Sequence, residues 1–189
     1  NNKNQNSTNL ASPKIGTKII EVSDDFFGEA SRMLDDKEAV FIEDKYDEHG
    51  KWMDGWESKR RRDGGNDWAI IELGSPGIIS EVDIDTSFFT GNFPPFASIE
   101  GLYSDQKPNK DSDWIEIISK TSLKGDTSNK FKIQSKSKVN YIKLQIFPDG
   151  GVARLRLFGE VKLDWDIYNN KKDLIELSSL KLGGSIIAY

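Results

Sequence analysis

Between Leu10 and Gly159, apolar and polar residues change places every one or two positions, in short runs interrupted by glycine, proline and aspartate. Runs of this kind predict strands over residues 18–22, 68–73, 78–85, 97–103, 114–118, 130–133, 140–147 and 152–158. The interruptions at Gly74-Ser75-Pro76-Gly77, Gly91-Asn92, Lys107-Pro108-Asn109, Gly125-Asp126 and Pro148-Asp149-Gly150-Gly151 carry turn chemistry. Alternation is clearest over 140–147, where Ile142, Leu144 and Ile146 share one face and Tyr141, Lys143 and Gln145 the other. Short strands divided by turns at this spacing predict an all-β domain, a sandwich or a barrel. One helix is expected before the C-terminal segment, from Asp25 to Leu34. Ser23 and Asp24 are suited to cap it, and Phe26, Ala30, Met33 and Leu34 recur at helical spacing.

The two ends read differently. Residues 1–9 form a polar, asparagine-rich tract with nothing to bury and are expected to be unstructured. Residues 177–189 repeat the pattern of residues 10–22 without a gap, at an offset of about 167 residues. In each copy an apolar strand follows a Lys-apolar-Gly turn: Lys14-Ile15-Gly16 in the first, Lys181-Leu182-Gly183 in the second. The division that follows is one domain over residues 10–163, then residues 164–189 as a linker and the first strand of a second copy.

Composition narrows the chemistry. A chain of 189 residues is ample for one sandwich with a sizeable core. The net charge of -5 gives no electrostatic reason to expect nucleic acid or an anionic membrane as partner. The one dense basic run, Lys59-Arg60-Arg61-Arg62, is short and lies between Glu57 and Asp63, so it reads as local chemistry. Cysteine is absent, which excludes disulfides, thiolate metal sites and cysteine nucleophiles and favours a cytoplasmic protein. His49 is the only histidine, so no site with several histidines forms within one chain. Carboxylates alone can bind Mg²⁺ or Mn²⁺, but no spacing here demands it, and no cofactor is expected. No apolar stretch is long enough to span a bilayer, and no signal-peptide pattern opens the sequence.

Three stretches carry dense polar chemistry. The first runs from Trp52 to Arg62 and on to Gly65-Asn66-Asp67-Trp68, where tryptophans alternate with carboxylates and guanidiniums. Such aromatics serve as core residues or as shields that strengthen adjacent charge pairs. In the second, residues 82–92, strand periodicity turns Val82 and Ile84 inward and puts Asp83 and Asp85 together on the opposite face, ahead of Thr86, Ser87, Thr90 and Asn92. A solvated strand end with an Asx-turn accounts for this stretch equally well. In the third, a Pro-Asp-Gly-Gly turn precedes a strand with Arg154 and Arg156 on one face. Two close guanidiniums repel unless carboxylates such as Asp83 and Asp85, or a bound anion, sit with them. Phosphate loops, HExxH and G-x-S-x-G are all missing, and a Ser-His-Asp triad has only His49 to draw on. Simple solvent exposure on an outer sheet face accounts for the two arginines equally well, so the residues alone point to an all-β domain with a polar face that serves either an anion or solvent.

Taken together, the three stretches resemble the allantoicase family. The resemblance rests on Asp54-Gly55-Trp56-Glu57 with its basic run, on Gly65-Asn66-Asp67-Trp68, on residues 82–92 and on residues 141–156, all in the same order. Lys14-Ile15-Gly16 and residues 22–28 fit as well, so that residues 10–159 are covered. The resemblance implies an antiparallel jelly-roll β-sandwich of the galactose-binding-like kind, with two such repeats per family chain. It also implies a hydrolase that converts allantoate to ureidoglycolate and urea in purine and allantoin degradation, acting as a homo-oligomer. Allantoate carries one carboxylate and two ureido groups on a central carbon. Its chemistry asks for cations, acceptors for urea N–H groups, and a proton carrier. At the positions the family pattern marks, Arg60, Arg154 and Arg156 suit the carboxylate. Asp54, Glu57 and Asp85 suit proton transfer, and Thr86 and Asn92 suit orientation of a carbonyl. The sequence departs from the family at Ser58-Lys59, often Thr-Arg, and at Asn66, often histidine; a proton carrier at that last position is therefore lacking. A non-catalytic jelly-roll binding module and a degenerate, inactive family member are the alternatives.

Overall fold

The computed structural model describes residues 7–164. Its strands are β1 (Thr8–Asn9), β2 (Lys18–Val22), β3 (Tyr46–Asp47), β4 (Gly50–Lys51), β5 (Trp56–Glu57) and β6 (Asp67–Asp85). There follow β7 (Phe96–Leu102), β8 (Ile115–Ser122), β9 (Ser128–Lys132), β10 (Val139–Phe147), β11 (Gly151–Val152) and β12 (Arg154–Val161). Every pairing is antiparallel.

The architecture turns on β6, which is 19 residues long. Its first half pairs with β2 on one side and β10 on the other, giving the order β2-β6-β10-β7-β8. Its second half pairs with β12 and β9, giving β1-β12-β6-β9. One strand thus runs through both layers of an antiparallel sandwich. Residues 68–73 and 78–85 are not two strands with a turn between them, as the Gly-Ser-Pro-Gly sequence suggested. That sequence is a corner inside one strand. It bends because the chain packs there more closely than a side chain allows: a Cβ on Gly74 would lie 1.9 Å from the Ile15 carbonyl oxygen.

The alternation read from residues 140–147 holds. Ile142, Leu144 and Ile146 enter one core with Ala69, Ile71, Val82, Ile84, Ile99, Leu155 and Leu157 from both layers. Burying each of these aliphatic side chains contributes roughly 1.5–3 kcal/mol. On the outer face of β10, Lys143 is buried too, its ammonium 2.8 Å from Glu100 and 5.1 Å from the Trp114 ring.

The helix expected at 25–34 does not form; a 3₁₀ turn at Ala30–Leu34 is what remains of it. Phe27 and Gly28 donate their amides to the Glu57 carbonyl (3.1 and 3.0 Å), and Glu57 N–H returns to Gly28 (3.0 Å). Backbone groups that pair across to β5 cannot close helical turns. The expected caps are likewise committed elsewhere, Ser23 to Asp67 (2.8 Å) and Asp24 to the Lys59 amide (2.8 Å). Thr8 and Asn9, read as part of the unstructured opening tract, pair with β12, and the Asn9 side chain accepts the Leu157 amide at 3.0 Å. The repeat read at residues 177–189 lies outside the described residues. Among the described residues no helix is long and apolar enough to cross a membrane.

Candidate functional site

The three polar stretches meet at one end of the sandwich. β5 pairs with β11, setting Glu57 opposite Gly151 and Trp56 opposite Val152. Ser58 and Gly150 exchange hydrogen bonds of 3.1 and 3.2 Å, and Gly151 N–H donates to the Asn92 carbonyl at 2.7 Å. Gly151 is needed at this junction, since a Cβ there would lie 1.9 Å from the Phe89 ring. Trp56 is fully buried beneath the junction, its indole N–H on the Asp24 carbonyl at 2.8 Å.

On this platform Asn92 Nδ2 donates to Glu57 Oε1 at 2.7 Å. Burial raises the Glu57 carboxyl above its ordinary range, and the Asn92 hydrogen bond partly offsets that rise. The pair sits between two cavities. One, of about 550 Å³, is lined by Glu57, Ser58, Arg60, Asn92 and Asp149 together with the apolar Phe27, Phe93, Pro95 and Pro148. The other, of about 370 Å³, lies under the β3–β4 hairpin, with Phe27, Phe41, Lys51, Met53 and Phe88 in its wall together with Glu57 and Asn92. Arg60 and Lys51, one in each cavity, are exposed and form no ion pair among the described residues.

Glu57, Arg60 and Asn92 are therefore the expected site residues that line the paired cavities. The other five lie behind them. Arg154 is 2% exposed, and its guanidinium is saturated. It pairs with Asp54 at 2.8 Å and donates to the carbonyls of Ala153 (2.7 Å), Lys37 (2.8 Å), Asp54 (3.1 Å) and Arg32 (3.2 Å). Arg156 donates to the carbonyls of Asp35, Asp36 and Lys37. The strand register does set these arginines opposite Asp85 and Asp83, but peptide carbonyls of residues 35–38 and the Asp54 carboxylate take the charge. Asp54 also accepts the Val40 amide at 3.0 Å. Asp85 accepts the Ser87 amide and hydroxyl (2.8 and 2.6 Å), which is the Asx-turn arrangement. Thr86 is fully buried and ties its loop to the Lys124 carbonyl at 2.7 Å.

The basic run divides in the same way. Arg61 is held by Asp63 and Asp67, each at 2.7 Å, which lowers the Asp63 carboxyl to about 2. Lys51 and Phe27, which also line the cleft, went unnoticed as site candidates in the sequence, because nothing in their spacing sets them apart. Among the described residues no three His, Asp or Glu side chains gather as a metal site would require.

Fold and site define a jelly-roll sandwich that carries a small, charged double cleft on its end loops. A family model described as the allantoicase repeat matches residues 8–162. A probable allantoicase of Burkholderia mallei is 45% identical over 181 residues, which cover 95% of this chain and 53% of that protein. The crystal structure of the Saccharomyces cerevisiae allantoicase aligns with a TM-score of 0.74 at 32% identity, over 82% of this chain and 49% of that one. The chain belongs to the allantoicase family. It spans about half the length of the curated relatives it matches. A chitosan-binding module from a Paenibacillus chitosanase/glucanase shares the fold alone (TM-score 0.53, 17% identity, 80% of this chain and 99% of the module).

Proposed function

We propose that the double cleft binds allantoate and hydrolyses it to ureidoglycolate and urea. The observation that carries this reading is the Glu57–Asn92 pair, joined at 2.7 Å between two cavities that each hold a cation without an ion pair among the described residues. Allantoate is an anion with two neutral arms, and the cleft offers guanidinium, carboxyl and amide groups to match.

In this mechanism Glu57 is the general acid. A carboxyl raised by burial keeps its proton to higher pH and delivers it where a leaving group needs it. The bond between the central carbon and one ureido nitrogen breaks, its electron pair staying on nitrogen, which takes the Glu57 proton. Water gives its hydroxyl to the central carbon and its remaining proton to the Glu57 carboxylate, which restores the acid. Asn92 aims the carboxyl, and Arg60 holds the substrate carboxylate. Asp54, Asp85, Thr86, Arg154 and Arg156 act from behind, holding the loops that present these groups.

The same reading takes the protein to be cytoplasmic, in keeping with a cysteine-free sequence, and to work as a homo-oligomer. Residues 164–189 lead into a second repeat, as the likeness of residues 177–189 to residues 10–22 supports.

The test is urea release from allantoate by the purified chain. Folded protein with no urea above background sinks the reading. The alternative of a glycan-binding module draws on Phe41, Tyr46 and Phe88, which stand exposed around the cleft. Heat on titration with chitosan oligosaccharides, and none with allantoate, would decide for that module.

A further inference from the structure

We propose that the cavity under the β3–β4 hairpin is the subsite for the departing ureido group, with Lys51 as the cation that takes its carbonyl oxygen. This rests on the allantoate reading above and gives the bound substrate a direction.

Glu57 and Asn92 border both cavities, so a ligand bonded to Glu57 extends one end into each. The two ends are chemically unlike. On the Arg60 side the wall mixes Phe27, Phe93, Pro95 and Pro148 with Ser58, Arg60 and Asp149, and Arg60 also borders a neighbouring cavity in which Lys59 and Arg61 face Asp24, Asp63 and Asp67. Arg60 and Arg62, without ion pairs among the described residues, are the two guanidiniums offered to an anion there. On the hairpin side Phe27, Phe41, Phe88 and Met53 share the wall with His49, Lys51 and Thr90, and the Phe41 and Phe88 rings are 5.8 Å apart. A ureido group is flat and uncharged, with one strong acceptor oxygen. Aromatic faces suit its plane, and a single donor suits its oxygen.

Lys51 supplies that donor. Its ammonium lies 4.6 Å from the centre of the Phe41 ring and 5.9 Å from that of Tyr46, with no carboxylate partner among the described residues. Ring contacts hold the cation in place without using up its three N–H groups. As the C–N bond breaks, negative charge passes from the leaving nitrogen to the ureido oxygen. An ammonium already positioned there stabilises the transition state more than the ground state.

Saturation-transfer NMR on the whole chain tests the subsite without turnover, with N-methylurea as probe for the neutral arm and glycolate for the anionic one. Lys51→Met is expected to weaken N-methylurea by about tenfold or more, the loss of a charged hydrogen bond, and to leave glycolate unchanged. Lys51→Arg keeps most of the N-methylurea affinity, and Arg60→Met shows the converse selectivity. Both residues are exposed, so neither change opens the core. In turnover of allantoate, Lys51→Met lowers kcat more than it raises KM. The subsite is overturned if N-methylurea fails to bind the unaltered chain, if Lys51→Met binds it normally, or if Lys51→Met loses both probes alike. A chain that binds N-methylurea through Lys51 yet releases no urea from allantoate keeps the subsite and loses the reaction.

Discussion

Asp54 of the Arg154–Asp54 knot and Glu57 of the Glu57–Asn92 cleft stand close together in sequence and on the same end of the sandwich, yet the charges of knot and cleft do opposite things. In the knot every donor of a buried guanidinium has a partner, and Asp54 is largely covered as well. In the cleft a half-buried carboxyl meets one amide, and two exposed cations stand without counterions among the described residues. A satisfied charge organises loops. An unsatisfied one at the edge of a cavity is available to a ligand.

The comparison breaks most severely at Arg154. Arg154→Met leaves Asp54 buried without its partner and frees the carbonyls of residues 32–38, and the expected loss is ~3–5 kcal/mol in guanidinium unfolding. Unfolding at the unaltered midpoint would mean that the knot organises nothing. Next comes Glu57→Gln, which is expected to cut urea release by about 100-fold or more while the fold persists. Because burial holds the Glu57 carboxyl above the usual range, kcat in the unaltered chain falls as pH climbs through that raised value. A kcat profile that rises there instead assigns Glu57 as base. Asn92→Ala removes the hydrogen bond that favours the charged carboxylate. The alkaline limb therefore moves to higher pH, and kcat drops by about tenfold as the acid loses its aim. A limb that moves to lower pH contradicts this.

The smallest effect is expected at Asp83, whose Oδ1 is buried without a partner while Oδ2 accepts the Ser128 hydroxyl at 2.6 Å. Burial raises this carboxyl, so the stability it permits is complete below the ordinary carboxylate range and is lost as pH rises through the folded value. Asp83→Asn escapes that loss and should be more stable at neutral pH by less than about 1 kcal/mol, after allowance for solvent screening, with no gain in acid. Thermal melts at two pH values measure it.

What the sequence made legible follows from the range of the interactions involved. The faces of β10 and β12 were readable because alternation is local, and the core took Ile142, Leu144, Leu155 and Leu157 as the pattern requires. The Gly-Ser-Pro-Gly corner was not, because the same residues serve a tight turn or a bent strand, and only the approach of Ile15 decides between them. The helix at 25–34 lost to Glu57, a partner some thirty residues away. The site was half legible. The motifs converge on one end of the molecule, but they could not tell Arg154 from Arg60. That distinction depends on carbonyls at residues 32–38, more than a hundred positions before Arg154, which no motif registers.

The strand shared by both layers has a consequence for how the chain tolerates being severed. A protease cut at the tip of the β3–β4 hairpin, near Glu48 and His49, would leave both layers hydrogen-bonded and change only the roof of one cavity. A cut at Ser75–Pro76 would detach β2 and the first half of β6 from the strand that anchors β12 and β9. The first wound spares the framework and the second divides it, so circular permutants opened at the hairpin should assemble where those opened at the corner fail.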